Sequence, residues 1–276
     1  MCGRYQRRSD KQRIAEAFAL GNAASLDELG SSLELGNEAG DGLSDELEMA
    51  PNYNVAPGTM QPVVVWDDLL GMRTLRMMFW RMLPPFCTDP KKFKLDTINA
   101  SAEKLLSSNM WKKSFLYRRC LVPVDSFVEW RRVNSQTKVP FVFGMETDEP
   151  FALGGIWQHW RSPDHKTEMD TFAIVTVEPN EILHDLTNHN RMPLIVPKRD
   201  YERWLRERDD ERPPVDLLRP YDSDRMKAWQ VGTAINNVRN NDASLMEPQA
   251  DLAQLDLPQL DLVQLDLFGD SANSPE

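Results

Sequence analysis

The chain has 276 residues, 41% of them hydrophobic, which is enough to bury a sizeable core as one large domain or two small ones. No apolar run reaches membrane-spanning length and the first twenty residues lack the apolar stretch of a secretory leader, so the composition directs the reading to a cytoplasmic protein without a membrane partner. The formal charge of -11 speaks against a polyanionic partner only until its distribution is seen: residues 21–50 hold eight acids and residues 247–276 hold seven, with no Lys or Arg in either, and the rest of the chain is mildly basic.

Read from the amino terminus, the chain opens MCGRY. Cysteine is small enough for an initiator methionine to be trimmed in front of it, which leaves Cys2 with a free α-amine and a thiol on adjacent carbons. The other cysteines, Cys87 and Cys120, are distant and form no CxxC pair, which argues against a disulfide framework and a structural zinc site. Ser9 or Asp10 is placed to cap a short helix with Ile14 and Phe18 on one face, ending near Gly21. The acidic, Gly- and Ser-rich stretch from about 22 to 49 reads as a solvated insertion before PNYNVAPG. Strand-like segments follow at 62–66, 74–80, 139–145, 171–177 and 193–197, with helical candidates near 99–109, 178–186 and 199–207. Strands and helices do not alternate as βαβ units. The expected fold is therefore α+β, a single domain over residues 2–248 with a curved, largely antiparallel sheet and flanking helices. Residues 249–276 repeat Q-L-D-L every five residues, at Gln254, Gln259 and Gln264, a period of neither helix nor strand, and read as a disordered acidic tail.

Four polar residues stand in segments that otherwise look buried or turn-like: Cys2, Asn54, Glu129 and His189. Singly each has an ordinary explanation, as a coding accident, a turn former beside proline, a surface strand residue and a loop cap. Together they form a chemical set. An α-amine with a pKa of about 7.7–8.0 is partly neutral near neutral pH, beside a thiol of about 8.5. Such a pair suits an aldehyde: the amine forms a Schiff base and the thiol closes on it to give a thiazolidine. Glu129 and His189 are available for the acid–base steps, and Asn54 to hold the aldehyde oxygen or orient the amine. The chemistry requires no metal and no other cofactor.

The motifs MCGRY, PNYNVAPG, FWRMLPPF, INASAEK, YRRCLVPVDSFVEW, FALGGIWQHW, TFAIVTVEPN and HNRMPLIV, in this order, resemble the SOS-response-associated peptidase (SRAP) domain family over residues 2 to 248. The resemblance implies a protein that binds single-stranded DNA and cross-links its N-terminal cysteine to the aldehyde of an abasic site, shielding the lesion. It makes Cys2 the covalent nucleophile once Met1 is removed, by the protein itself or otherwise. Asn54 would orient the reacting groups, Glu129 would be the general acid or base, and His189 would open the deoxyribose and assist reversal. Arg4 and Arg191 would lie along the DNA backbone, and Trp80 would stack on a base unless it is core, the commoner fate of a strand tryptophan. The chain departs from the family pattern at Ser101, where an arginine is usual, and at Arg81 and Phe86, where glycine and tryptophan are usual. Arg81 is then a candidate to restore the lost charge.

In the tail, QLDLF at Gln264 to Phe268 resembles the pentapeptide that docks bacterial proteins on the replicative sliding clamp, with Gln264, Leu265, Leu267 and Phe268 as contacts. Two other functions compete with the cross-linking reading: an N-terminal cysteine peptidase with His189 as base, and a non-enzymatic clamp adaptor. Nothing in the sequence demands more than a monomer.

Overall fold

The computed structural model describes residues 2–21, 49–206 and 212–249, and most of the expected acidic insertion and nearly all of the expected tail lie outside them. The chain opens with strand β1 (Tyr5–Arg7) and helix α1 (Lys11–Phe18). Asp10, not Ser9, caps α1, accepting from the Arg13 N–H at 2.8 Å, while the Ser9 hydroxyl donates to Asp125. The helix stops before Gly21, with Ala19 in the left-handed region at φ 47° and its N–H turned back on Ala15 and Glu16. Ile14 and Phe18 are buried, as their spacing predicts.

Strands β2 (Asn52–Val55), β3 (Met60–Asp67), β4 (Met72–Trp80), β6 (Arg119–Val124), β7 (Ser126–Arg132), β8 (Lys138–Met145), β9 (Phe151–Arg161), β10 (Glu168–Val177) and β13 (Met226–Gln230) carry most of the sheet. Short strands β5 (Asn99–Ser101), β11 (Met192–Pro193) and β12 (Ile195–Val196) sit at the rims. Helices α2 (Lys112–Tyr117), α3 (Glu181–Thr187) and α4 (Tyr201–Arg206) flank them. The architecture is α+β, as expected, and its sheets are antiparallel except where β10 runs parallel to β4 and β5.

Two sheets form. In one, the order β10-β4-β3-β6-β9 returns to β10 through the β9–β10 ladder, so the sheet closes into a barrel and leaves no edge along its body. The other has order β13-β8-β7-β1-β2. Its alternation divides two faces: Tyr5, Phe127, Phe141 and Phe143 join the main core with the barrel, whereas Val128 and Val142 pack under Val231, Ile235 and Leu245 from the C-terminal segment.

One expectation fails for a tertiary reason. The helix expected near 99–109 is instead strand β5 followed by a 3-10 turn at Ala102–Lys104, because Asn99, Ala100 and Ser101 register against Ile174, Val175 and Thr176 of β10. The FALGGIWQHW segment is a full strand despite two glycines. A Cβ on Gly154 would lie 2.7 Å from Leu194 Cδ2 and one on Gly155 2.8 Å from Cys120 Sγ, so these glycines permit close packing on both faces of β9.

Candidate active site at the amino terminus

Strand β7 sets the site. Phe127 and Glu129 share the face turned to the main core, and Glu129 stands opposite Phe141 of β8. Tyr5 pairs with Phe127, and the Val128 N–H donates to the Arg4 carbonyl at 3.0 Å, so the residues preceding β1 run along β7 toward Glu129. This delivers Cys2 to the carboxylate. Cys2 is fully buried, its Sγ 3.8 Å from the Arg4 carbonyl. Burial, with the nearby Glu129 charge, pushes its thiol well above the ordinary range.

Glu129 is 1% exposed. Burial raises its carboxyl above the usual range, opposed by the positive amino terminus of the chain and by His189. His189 follows α3, which Asn180 caps and which ends at Asn188 in the left-handed region at φ 54°. That reversal turns the imidazole toward β7, where Nε2 lies 2.9 Å from the Trp130 carbonyl and 3.8 Å from Glu129 Oε2. A carbonyl only accepts, so Nε2 carries the proton. The His189 side chain is 31% exposed and links the buried carboxylate to solvent. The structure thus gathers Cys2, Glu129 and His189.

Asn54 is placed otherwise. Its Nδ2 reaches the carbonyls of Ile235, Asn237 and Asn240 at 3.2, 3.0 and 2.9 Å, and so ties β2 to the C-terminal segment. The amide that touches the terminus is Asn99, whose Nδ2 donates to the Cys2 carbonyl at 2.9 Å. Sequence reasoning passed over Asn99, although it stands in the quoted INASAEK motif. Only the β5–β10 register shows that it faces Cys2.

Trp80 takes the core alternative and has no face to offer a base: it is fully buried, its Nε1 donates to the Ile98 carbonyl at 3.0 Å, and its ring lies 5.0 Å from Tyr5 and 6.2 Å from Phe172. The aromatic exposed in that motif is Phe86, at 68%, tilted against Phe93. Arg81 staples the same loop, donating to the carbonyls of Phe93 at 2.8 Å and Leu95 at 3.2 Å.

Arg4 lies 6.0 Å from the Trp130 ring, in an open groove of about 360 Å³ lined also by Gln136, Lys138 and Asn236. Its Nε and Nη1 are buried without a protein partner, and desolvation lowers its pKa. Trp130 is fixed by a 2.7 Å bond from Nε1 to Asn236 Oδ1. Arg191 is held by Thr176 and Glu103. Gln264, Leu265, Leu267 and Phe268 lie outside the described residues. Among the described residues, no three His, Cys, Asp or Glu side chains gather as a metal site, and no helix is long and apolar enough to cross a membrane.

Fold and site together define a small β-barrel protein with Cys2, Glu129 and His189 gathered at its amino terminus. Residues 1–238 match the family described as SOS response associated peptidase (SRAP), and the chain belongs to that family. Among curated proteins it is 31% identical over 248 residues to the abasic site processing protein YoqW of Bacillus subtilis, an alignment covering 90% of this chain and 99% of that one. It is 26% identical to the abasic site processing protein HMCES of Xenopus tropicalis, over 75% of this chain and 68% of the relative. A solved structure from Bacteroides thetaiotaomicron superposes with a TM-score of 0.73 at 19% identity, covering 90% of this chain and all of the other, which establishes the shared fold.

Proposed function

We propose that this chain processes abasic sites by binding single-stranded DNA and forming a thiazolidine cross-link between Cys2 and the lesion aldehyde. The observation that carries the reading is the Glu129–His189 pair, 3.8 Å apart, at the strand position adjoining Cys2. The names of the curated relatives support the same substrate.

Removal of Met1 frees the Cys2 amine. The amine adds to C1′ of the ring-opened sugar and water leaves the carbinolamine, giving a Schiff base. The thiol then adds across the C=N bond: sulfur bonds to carbon and a proton reaches nitrogen, so one water is lost overall. Glu129 suits both halves, since a carboxyl raised by burial holds a proton for the departing hydroxyl and, once ionised, accepts one from amine or thiol. His189 serves the sugar oxygen in ring opening and in reversal. Asn99 fixes the Cys2 carbonyl and so the direction of the amine. Arg4, Arg81 and Arg191 grip phosphates without base preference. The exposed Phe86, rather than Trp80, is the aromatic available to a base.

The test is incubation with a single-stranded oligonucleotide bearing one abasic site. The expected product is a mass addition on Cys2, and recovery of unmodified strand overturns the proposal. An extra residue kept ahead of Cys2 abolishes cross-linking, whereas a peptidase acting through the thiol alone tolerates it. The QLDLF segment is proposed to dock on a sliding clamp. Capture by immobilised clamp is expected for the full chain and lost when the chain ends at Asp251; equal retention overturns it.

A further inference from the structure

Arg191 lies two residues beyond His189, so any strand backbone it grips passes beside the imidazole. Its guanidinium is engaged on two sides. Nη2 donates to the carbonyl and hydroxyl of Thr176 on β10, a buried residue, which anchors the side chain. Nη1 meets Glu103 Oε1 at 2.5 Å. Nε is buried without a protein partner. The two anchors differ in kind. Glu103 sits on the 3-10 turn after β5 with 59% of its side chain exposed, in contrast to 16% for Arg191. A carboxylate and a phosphate present the same pair of oxygens to a guanidinium fork, and they compete for the same donors.

We propose that Glu103 is an affinity- and selectivity-setting residue of the nucleic-acid groove, its carboxylate occupying the place on Arg191 that a backbone phosphate takes when a single strand binds. The inference rests on the single-strand reading above, which brings phosphates past Arg191. Binding there is an exchange of one oxyanion for another: the phosphate contact forms only as the Glu103 contact breaks. Undamaged strands, held by reversible contacts alone, are weakened by this exchange. A strand captured at Cys2 is held by covalent bonds and is not. Glu103 thereby biases the protein toward lesions without touching one. Although burial pushes the Glu103 carboxyl up, the Arg191 contact, its own backbone N–H and the Ser101 hydroxyl together hold it below the usual range, so the carboxylate is charged at neutral pH.

The experiment measures equilibrium binding of a lesion-free single-stranded oligonucleotide across a salt series. Glu103→Gln keeps the side-chain shape and removes the charge. It is expected to tighten binding by roughly 3–10-fold and to steepen the log–log salt slope by about 0.7, the increment of one added phosphate contact on a single strand. Glu103→Ala moves binding in the same direction, and neither change has an effect in an Arg191→Ala background. Unchanged or weaker binding by Glu103→Gln, or tightening that persists without Arg191, overturns the exchange while leaving the single-strand reading intact. Failure of the unsubstituted chain to bind any single strand removes that reading, and the exchange with it.

Discussion

Burying Glu129 opposite Phe141 costs stability whenever its carboxyl is ionised, and the sequence keeps it there. Its folded pKa is raised above the unfolded value of about 4.3, so its favourable contribution is complete below that value and is lost as pH rises through the raised one. Glu129→Gln, which cannot ionise, is therefore expected to melt at the same temperature as the parent near pH 4 and higher at pH 8, while losing roughly 100-fold or more in cross-linking rate. Thermal unfolding at the two pH values and single-turnover adduct formation check the pair of effects. The two asparagines separate in the opposite way. Asn54→Ala leaves carbonyls of Ile235, Asn237 and Asn240 without their donor, and stability falls by about 1–3 kcal/mol in urea unfolding. Asn99→Ala releases only the Cys2 carbonyl, and slows adduct formation with little change in the unfolding midpoint. A strand-like E-W dipeptide looks like an edge to the sequence reader; Glu129 is buried because the residues ahead of β1 run along β7 beside it.

At the scale of elements, short helices survive here through tertiary ties rather than propensity. Helix α2 spans six residues and α4 another six. Arg119, buried on β6, donates to the Phe115 and Leu116 carbonyls of α2 and the Trp204 carbonyl of α4, and so closes two helix ends with one side chain. Arg119→Met keeps the apolar length and loses the donors. We expect a loss of about 2–4 kcal/mol, seen as a lower urea midpoint with unchanged slope. The sequence marked β3, β4, β8 and β10 as apolar runs and α1 by its helical spacing; β3, β8 and β10 are buried on both faces over most of their length. It could not mark β5 as a strand. Three residues, Asn-Ala-Ser, become one only by pairing with β10, and the site amide Asn99 goes with them.

For the whole molecule, the C-terminal segment is structural before it is anything else. Val231, Ile235 and Leu245 cover the Val128–Val142 face of the second sheet, and Asn236 and the Trp130 carbonyl tie that layer to the Arg4 groove and to His189. A chain ending at Gln249 is expected to keep the melting temperature of the full chain, whereas one ending at Gln230 exposes the apolar face and is recovered aggregated or unfolded. Size-exclusion profiles and melting curves of the two truncations distinguish these outcomes.

Residue types and their order were enough to single out Cys2, Glu129 and His189, to place the fold among α+β domains, and to locate the acid-rich segments. Those properties are written in local composition, period and motif, which need no partner. Which amide meets the terminus, which aromatic meets solvent and which acid opposes which arginine were settled by tertiary placement, through strand register for Asn99 and Trp80 and through the turns that carry Phe86 and Glu103. Asn99 reaches Cys2, Glu103 reaches Arg191 and Trp80 disappears into the core through pairings between residues far apart in the chain. The faces of Asn99 and Trp80 are fixed by the strands beside them, and a shift of one residue in that pairing would turn both the other way.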